Sequence, residues 1–172
     1  EMIRPMCEAY GVELMDVLTG FKFIGEKIKG FEETGSHSYI FGFEESYGCL
    51  AGTYARDKDA VVATLLICEM AAYYKKQGMT LYDGLMALYE KYGYYREGVK
   101  SLTMKGLDGV EKIQKIMASF RAETPEAFAG VAVEWAKDYK TQVFKNLKTG
   151  EETASPLPVS DVVYYTLADG SW

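Results

Sequence analysis

The stretch from Ala60 to Gln77 places the tightest limit on the fold. Val61, Leu65, Cys68, Met70 and Ala72 cover several faces of one helix rather than a single stripe. A helix that is apolar around much of its circumference has to be buried, and a sheet is expected to bury this one. Asp59 is placed to cap its start, and Gly78 to stop it. The neighbouring segments switch between helical and extended periods. Met2–Tyr10 has helical spacing and ends at Gly11, after which Val12–Val17 alternates as a strand does. Phe21, Ile24, Ile28 and Phe31 recur at three and four, predicting a helix to about Glu33 that Gly35 closes. Ser38–Phe41 reads as a strand rich in β-branched and aromatic residues. Thr80, with Asp83 three residues on, opens a further helix whose stripe is Leu81, Leu85, Leu88 and Tyr92. Tyr94–Lys105 reads as an exposed or edge strand, and Asp108–Phe120 is again helical. Thr124-Pro125-Glu126 has the form of another helix start. Then Val131, Val133 and Trp135 alternate, Lys148–Glu151 is a turn, Pro156-Leu157-Pro158 a stiff linker, and Val162–Leu167 a final strand. The order predicts an α/β chain: a layered mixed sheet flanked by helices, followed by a short β-rich tail.

Composition narrows the partners. At 172 residues and 48% hydrophobic, the chain can bury a core and hold one main domain with part of a second. A net charge of −6 argues against nucleic acid or an anionic membrane as the main partner, so any phosphate site has to be local. Glu151, Glu152, Asp161 and Asp169 lie in a tail without Lys or Arg, which sets that tail apart. Cys7, Cys49 and Cys68 are odd in number and irregularly spaced, which fits a reducing cytoplasm better than a disulfide or zinc framework. The longest apolar run is far short of a membrane span, and no basic-then-apolar signal opens the chain. Glu1 precedes Met2, so a piece of a longer polypeptide is expected.

The chemistry concentrates in Gly42-Phe43-Glu44-Glu45-Ser46-Tyr47-Gly48 and the trailing Arg56-Asp57-Lys58-Asp59. These lie between a predicted strand and a predicted helix, so the acids are expected on a strand-to-helix loop, where open α/β sheets bind ligands. Carboxylates, a hydroxyl and a Lys/Arg pair suit a ligand that is both polyhydroxylated and anionic, such as a sugar phosphate. A solvated turn would use the same residue types. His37, the lone histidine, has no nucleophile or second ligand in pattern with it and reads as structural. The paired tyrosines straddle helix and strand faces and read as packing, with Tyr47 the one beside the acids.

The Glu44–Gly48 loop with its Arg56–Asp59 trailer resembles the sugar-binding loop in the third domain of the α-D-phosphohexomutases, the phosphoglucomutase/phosphomannomutase family. Leu18-Thr19-Gly20-Phe21-Lys22-Phe23-Ile24 resembles that family's upstream Thr-Gly-aromatic-Lys turn. The resemblance implies a third-domain α/β fold lacking its first strand, which would leave a vacancy between Val12–Val17 and Tyr39–Phe43 for a second copy or the tail strands to fill. It implies a sugar-binding domain over 1–121, a β linker over 122–158, and, over 159–172, the first strand of a C-terminal phosphate-binding domain. By the same resemblance Glu44 and Ser46 contact sugar hydroxyls, with Thr19, Gly20, Tyr47 and Arg56 also at the substrate, while Lys58 stabilises charge or moves a proton. Lys22 is expected to be a surface charge.

The reaction so implied interconverts hexose 1-phosphate and 6-phosphate through a hexose 1,6-bisphosphate. It uses an enzyme phosphoserine and Mg2+, whose loops are not found in this sequence; no metal ligands are assigned here, and the chain is expected to be inactive alone. The partners implied are a hexose phosphate, the remaining domains of the same polypeptide, and another copy through strand exchange. A phosphopentomutase-type relative and a non-catalytic sugar-phosphate-binding module remain the alternatives.

Overall fold

A computed structural model describes residues 1–172, which form two compact units, Glu1–Gly98 and Val99–Trp172. The chain is α/β, and every strand pair is antiparallel.

The first unit begins with α1 (Ile3–Tyr10), ended by Gly11 in the left-handed region, and α2 (Phe21–Thr34), ended the same way by Gly35. A hairpin of β1 (Phe41–Phe43) and β2 (Cys49–Ala51) follows. After it come α3 (Ala60–Lys76) and α4 (Leu81–Tyr92). Both are capped as the sequence predicts: the Asp59 carboxylate accepts from the Val61 and Val62 amides, and Thr80 and Asp83 form a reciprocal capping box. The core is small. Phe21, Ile24 and Ile28 on one face of α2 meet Leu50 of β2, with Val17, Tyr39 and Ala55 packed around them. Ile28 and Leu50 are fully buried, each contributing about 1.5–3 kcal/mol relative to exposure. The Tyr39 hydroxyl donates to the Leu50 carbonyl at 2.8 Å, and burial, helped by the nearby Cys49 thiol, pushes that phenol up to about 12.

The second unit carries α5 (Gly106–Ala122) and the strands β3 (Ala127–Phe128), β4 (Val131–Asp138), β5 (Val143–Asn146), β6 (Glu152–Ala154) and β7 (Val163–Leu167). β4 organises them, pairing with β3 at its start and with β5 and β7 along its two edges, while β6 extends β5. Ala129 and Gly130, both at positive φ, make the two-residue turn between β3 and β4. α5 is tied to this sheet. Tyr165 donates to the Phe120 carbonyl, and Arg121 bonds Asp138 at 3.1 Å and lies 2.5 Å from Asp161, the latter off the line of a good hydrogen bond. The boundary between compact units therefore falls before α5.

Six sequence expectations are corrected here. Val12–Val17 and Tyr94–Lys105 carry strand periodicity but join no ladder, because an alternating pattern becomes a strand only beside a partner and β1 pairs with β2 alone. The expected strand at Ser38–Phe41 starts later, at Phe41. Thr124-Pro125 opens no helix, since three residues on the chain enters the β3–β4 hairpin. The tail strands fill no vacancy in the first sheet; they build one of their own. Finally, α3 packs on β2 and α4 yet buries none of its residues, with Val61 79% exposed and Leu65 57%. Two three-residue strands are too small to cover a helix of seventeen residues.

Candidate functional site

Glu44–Gly48 is the bend of the β1–β2 hairpin, not a strand-to-helix loop; a second strand, too short to read from sequence, intervenes before α3. The Glu44 amide donates to the Gly48 carbonyl at 2.8 Å and the Tyr47 amide to the Glu44 carbonyl at 3.3 Å, closing a three-residue loop. Such loops place a left-handed residue last, usually Gly. Here that residue is Tyr47, at φ 69 and 97% exposed. A non-glycine residue held there without packing is strained, and strain of this kind gathers where ligands are clamped.

Glu44 is half-buried and Ser46 exposed, and neither side chain makes a hydrogen bond within the chain. Both oxygens of the carboxylate and the serine hydroxyl are thus available to a polyol, which offers several O–H donors in fixed geometry. Glu45 points to solvent. A groove of about 530 Å³ in this unit is lined by Met2, Ile3, Met6, Phe43 and Tyr89 among others, and reaches none of Glu44, Ser46 or Lys58.

Thr19 is exposed, and Gly20 precedes α2 at φ 119, φ/ψ values that favour glycine. No side chain caps α2, so its first amides carry the partial positive charge of a helix start. Lys58 connects this turn to the hairpin. Its Nζ lies 5.8 Å from the ring centroid of Phe21, the first residue of α2. Its stem passes over Gly48, where a Cβ would stand 2.5 Å from Lys58 Cδ and 3.1 Å from Glu44 Oε2. The two sequence motifs are therefore one cluster. Asp57 accepts from Lys58 Nζ at 3.0 Å and raises the ammonium's pKa, with the field of Glu44 adding to the effect; Asp57 is lowered in return.

Arg56 faces the other way. Its Nη2 pairs with Glu32 of α2, and its Nη1 donates to the Thr53 and Ala55 carbonyls at 2.6 and 3.2 Å. Tyr54 donates to Asp59 at 2.5 Å, which pushes the phenol up to about 12 and lowers the carboxyl that caps α3. His37 bridges Ser36 and Glu13 and tilts against the Phe31 ring; Lys22 sits over Phe23. Glu32 and Tyr54 are members of this arrangement that the sequence did not single out, while Phe21 and Gly48 lay inside the quoted motifs without a role of their own. Only the glycine within the loop offered a signal.

A family model for the phosphoglucomutase/phosphomannomutase alpha/beta/alpha domain III matches residues 1–92, more than half of the chain and all of the cluster just described. The chain belongs to this family. Among curated relatives, the phosphoglucomutases of Staphylococcus aureus strains MRSA252 and USA300 are each 35% identical over 170 residues, and that of Staphylococcus haemolyticus is 32% identical over 170 residues. Each alignment covers 99% of this chain but only 30 or 31% of the relative. The chain thus spans less than a third of the length of the phosphoglucomutases it matches. No solved structure matches it. Within this phosphoglucomutase-type chain no group of three or more His, Cys, Asp or Glu side chains is arranged to hold a metal ion, and no helix is long and apolar enough to cross a membrane.

Proposed function

We propose that this chain is the sugar-recognition part of a longer phosphohexomutase that interconverts hexose 1-phosphate and 6-phosphate through a hexose 1,6-bisphosphate. The observation that supports it most is the Lys58 side chain, which joins the Thr19-Gly20 turn to the Glu44 hairpin. Glu44 accepts from two ring hydroxyls and Ser46 completes the grip, with Tyr47 covering the sugar and Thr19 and Gly20 approaching through hydroxyl and backbone. A near-symmetric set of acceptors serves a bisphosphate that must bind in two orientations. Lys58, raised by Asp57, stays protonated at neutral pH, so it stabilises oxyanion charge or donates a proton and is not a base. Arg56, engaged with Glu32 and two carbonyls, supports the loop that carries Lys58.

The acids of this cluster do not fit a magnesium site. Asp59 is committed to a helix cap and a phenol, Asp57 to Lys58, and Glu44 stands without a second carboxylate opposite it. In this reading Mg2+ and the phosphoserine are held by other domains of the same polypeptide, the isolated chain does not turn over substrate, and the setting is a reducing cytoplasm in keeping with three free thiols. Assaying the full-length polypeptide with glucose 1-phosphate, mannose 1-phosphate and ribose 1-phosphate tests the proposal. Conversion of a hexose phosphate that Glu44→Gln slows about ten- to a hundredfold supports it. Preference for the pentose phosphate makes the protein a phosphopentomutase-type relative, and binding without turnover makes it a sugar-phosphate-binding module.

A further inference from the structure

We infer that Gly25 of α2 is a positioning residue for Lys58, fixing through the Arg56 carbonyl where the lysine stem crosses Gly48 beside Glu44. The inference deepens the reading above and rests on it for the role of Lys58.

Glycine in the body of a helix is unfavourable relative to alanine, and a contact that excludes a Cβ is a local reason for one. At Gly25 the reason is contact: a Cβ there would stand 2.9 Å from the Arg56 carbonyl oxygen and 3.8 Å from Arg56 Cβ. The obstructing atom is backbone, so the 53–58 segment would have to move. Gly30, on the same helix, has nothing within 4 Å of where its Cβ would be. The contact at Gly25 is therefore specific to that position. Glu32 holds the same segment at a second point by pairing with the Arg56 guanidinium. On the far side of Lys58 the chain is fixed again, because the Asp59 amide donates to the Cys49 carbonyl at 2.9 Å and its carboxylate caps α3. Lys58 is thus rooted between two anchors, α2 on one side and β2 on the other.

Glu44 takes no part in the contact between Gly25 and the Arg56 carbonyl. Its position is set by the hairpin's own closure to Gly48. Displacing Arg56 therefore moves the root of Lys58 while leaving the sugar-gripping acid in place, and a misplacement of about 1 Å at a reacting group can lower a rate about a hundredfold.

The test reads position and rate separately in the full-length mutase. A water-soluble carbodiimide condenses a carboxylate and a nearby amine into an amide, the water lost converting the reagent to its urea. The Glu44–Lys58 amide is then quantified by peptide mass spectrometry. Gly25→Ala is expected to lower its yield about fivefold or more and kcat about tenfold or more, with KM for the hexose phosphate within about threefold, while Gly30→Ala changes neither. A folded Gly25→Ala protein with the original cross-link yield overturns the inference, as does absence of the amide in the unsubstituted protein. If Lys58→Ala leaves kcat unchanged, the chemical role given to Lys58 fails, and the cross-link yield still decides the role of Gly25. If Gly25→Ala does not fold, Glu32→Gln loosens the second point of the α2 anchor without adding a heavy atom. It is expected to lower the yield by about half or more, and an unaltered yield overturns the inference.

Discussion

The Lys58 stem crosses Gly48 with no room for a side chain between them: a Cβ on Gly48 would stand 2.5 Å from Lys58 Cδ. What obstructs it is the middle of a flexible side chain rather than backbone, and Gly48 does not sit at a positive φ. Gly48→Ala should therefore fold with a thermal midpoint within a few degrees of the original, about the range of a surface change. On the proposed function, kcat/KM of the full-length polypeptide should fall about tenfold, because the ammonium is turned away from Glu44. Since both substitutions act through one side chain, Gly48→Ala combined with Lys58→Ala should cost little more than Lys58→Ala alone. A fully additive double variant contradicts the shared route.

Glu44→Gln removes the charge of a half-exposed carboxylate that bonds nothing else in the chain, so stability should change by no more than about 0.5 kcal/mol. Hydrogen bonds from sugar hydroxyls to a charged acceptor are the stronger kind, and their loss should lower kcat/KM about ten- to a hundredfold. Denaturant unfolding and steady-state kinetics on the same preparation separate the two effects. Unchanged kinetics would remove Glu44 from the site.

How much of this was legible depended on the range of the interaction. The caps at Asp59 and Thr80/Asp83 and the left-handed stops at Gly11 and Gly35 came through because each is settled within four residues. Strands are settled by partners far along the chain, which is why Val12–Val17 and Tyr94–Lys105, periodic enough on paper, form no ladder. Three-residue β2 left no pattern, and with it went the recognition that the acids sit on a hairpin. In the site, Glu44, Ser46 and Lys58 could be named from the residues that carry the resemblance. The seating of Arg56 on Gly25 could not, because a glycine inside a helix does not announce what presses on it.

Tyr47 carries a left-handed backbone with its ring almost wholly in solvent. A residue with a Cβ gives up about 1 kcal/mol in that conformation and recovers none of it by packing. Tyr47→Gly should accordingly raise the unfolding free energy by up to about 1 kcal/mol. If the ring covers the sugar, the same change should raise KM for the hexose phosphate about threefold or more, with a smaller change in kcat. A stabilised protein with an unaltered KM would leave the tyrosine without a binding role.

Asp138 should set part of the acid limit of the second unit. Burial alone would push its carboxyl up, but the Thr141 hydroxyl, the Lys140 amide and the Arg121 guanidinium all favour the charged form, and the balance is a lowered pKa. A carboxyl whose folded pKa lies below its unfolded value binds fewer protons in the folded state. Its contribution is complete above the unfolded carboxylate range and is lost as pH falls through the lower, folded value. Protonation at that point also leaves Arg121, largely enclosed against α5 and the sheet, with Asp161 as its remaining acid. Stability measured by denaturant at pH 7 and at steps below pH 4 should therefore fall with acid, and Asp138→Asn should be less stable at pH 7 with a shallower fall. An acid limb of equal steepness in the variant would move the titration to other carboxyls.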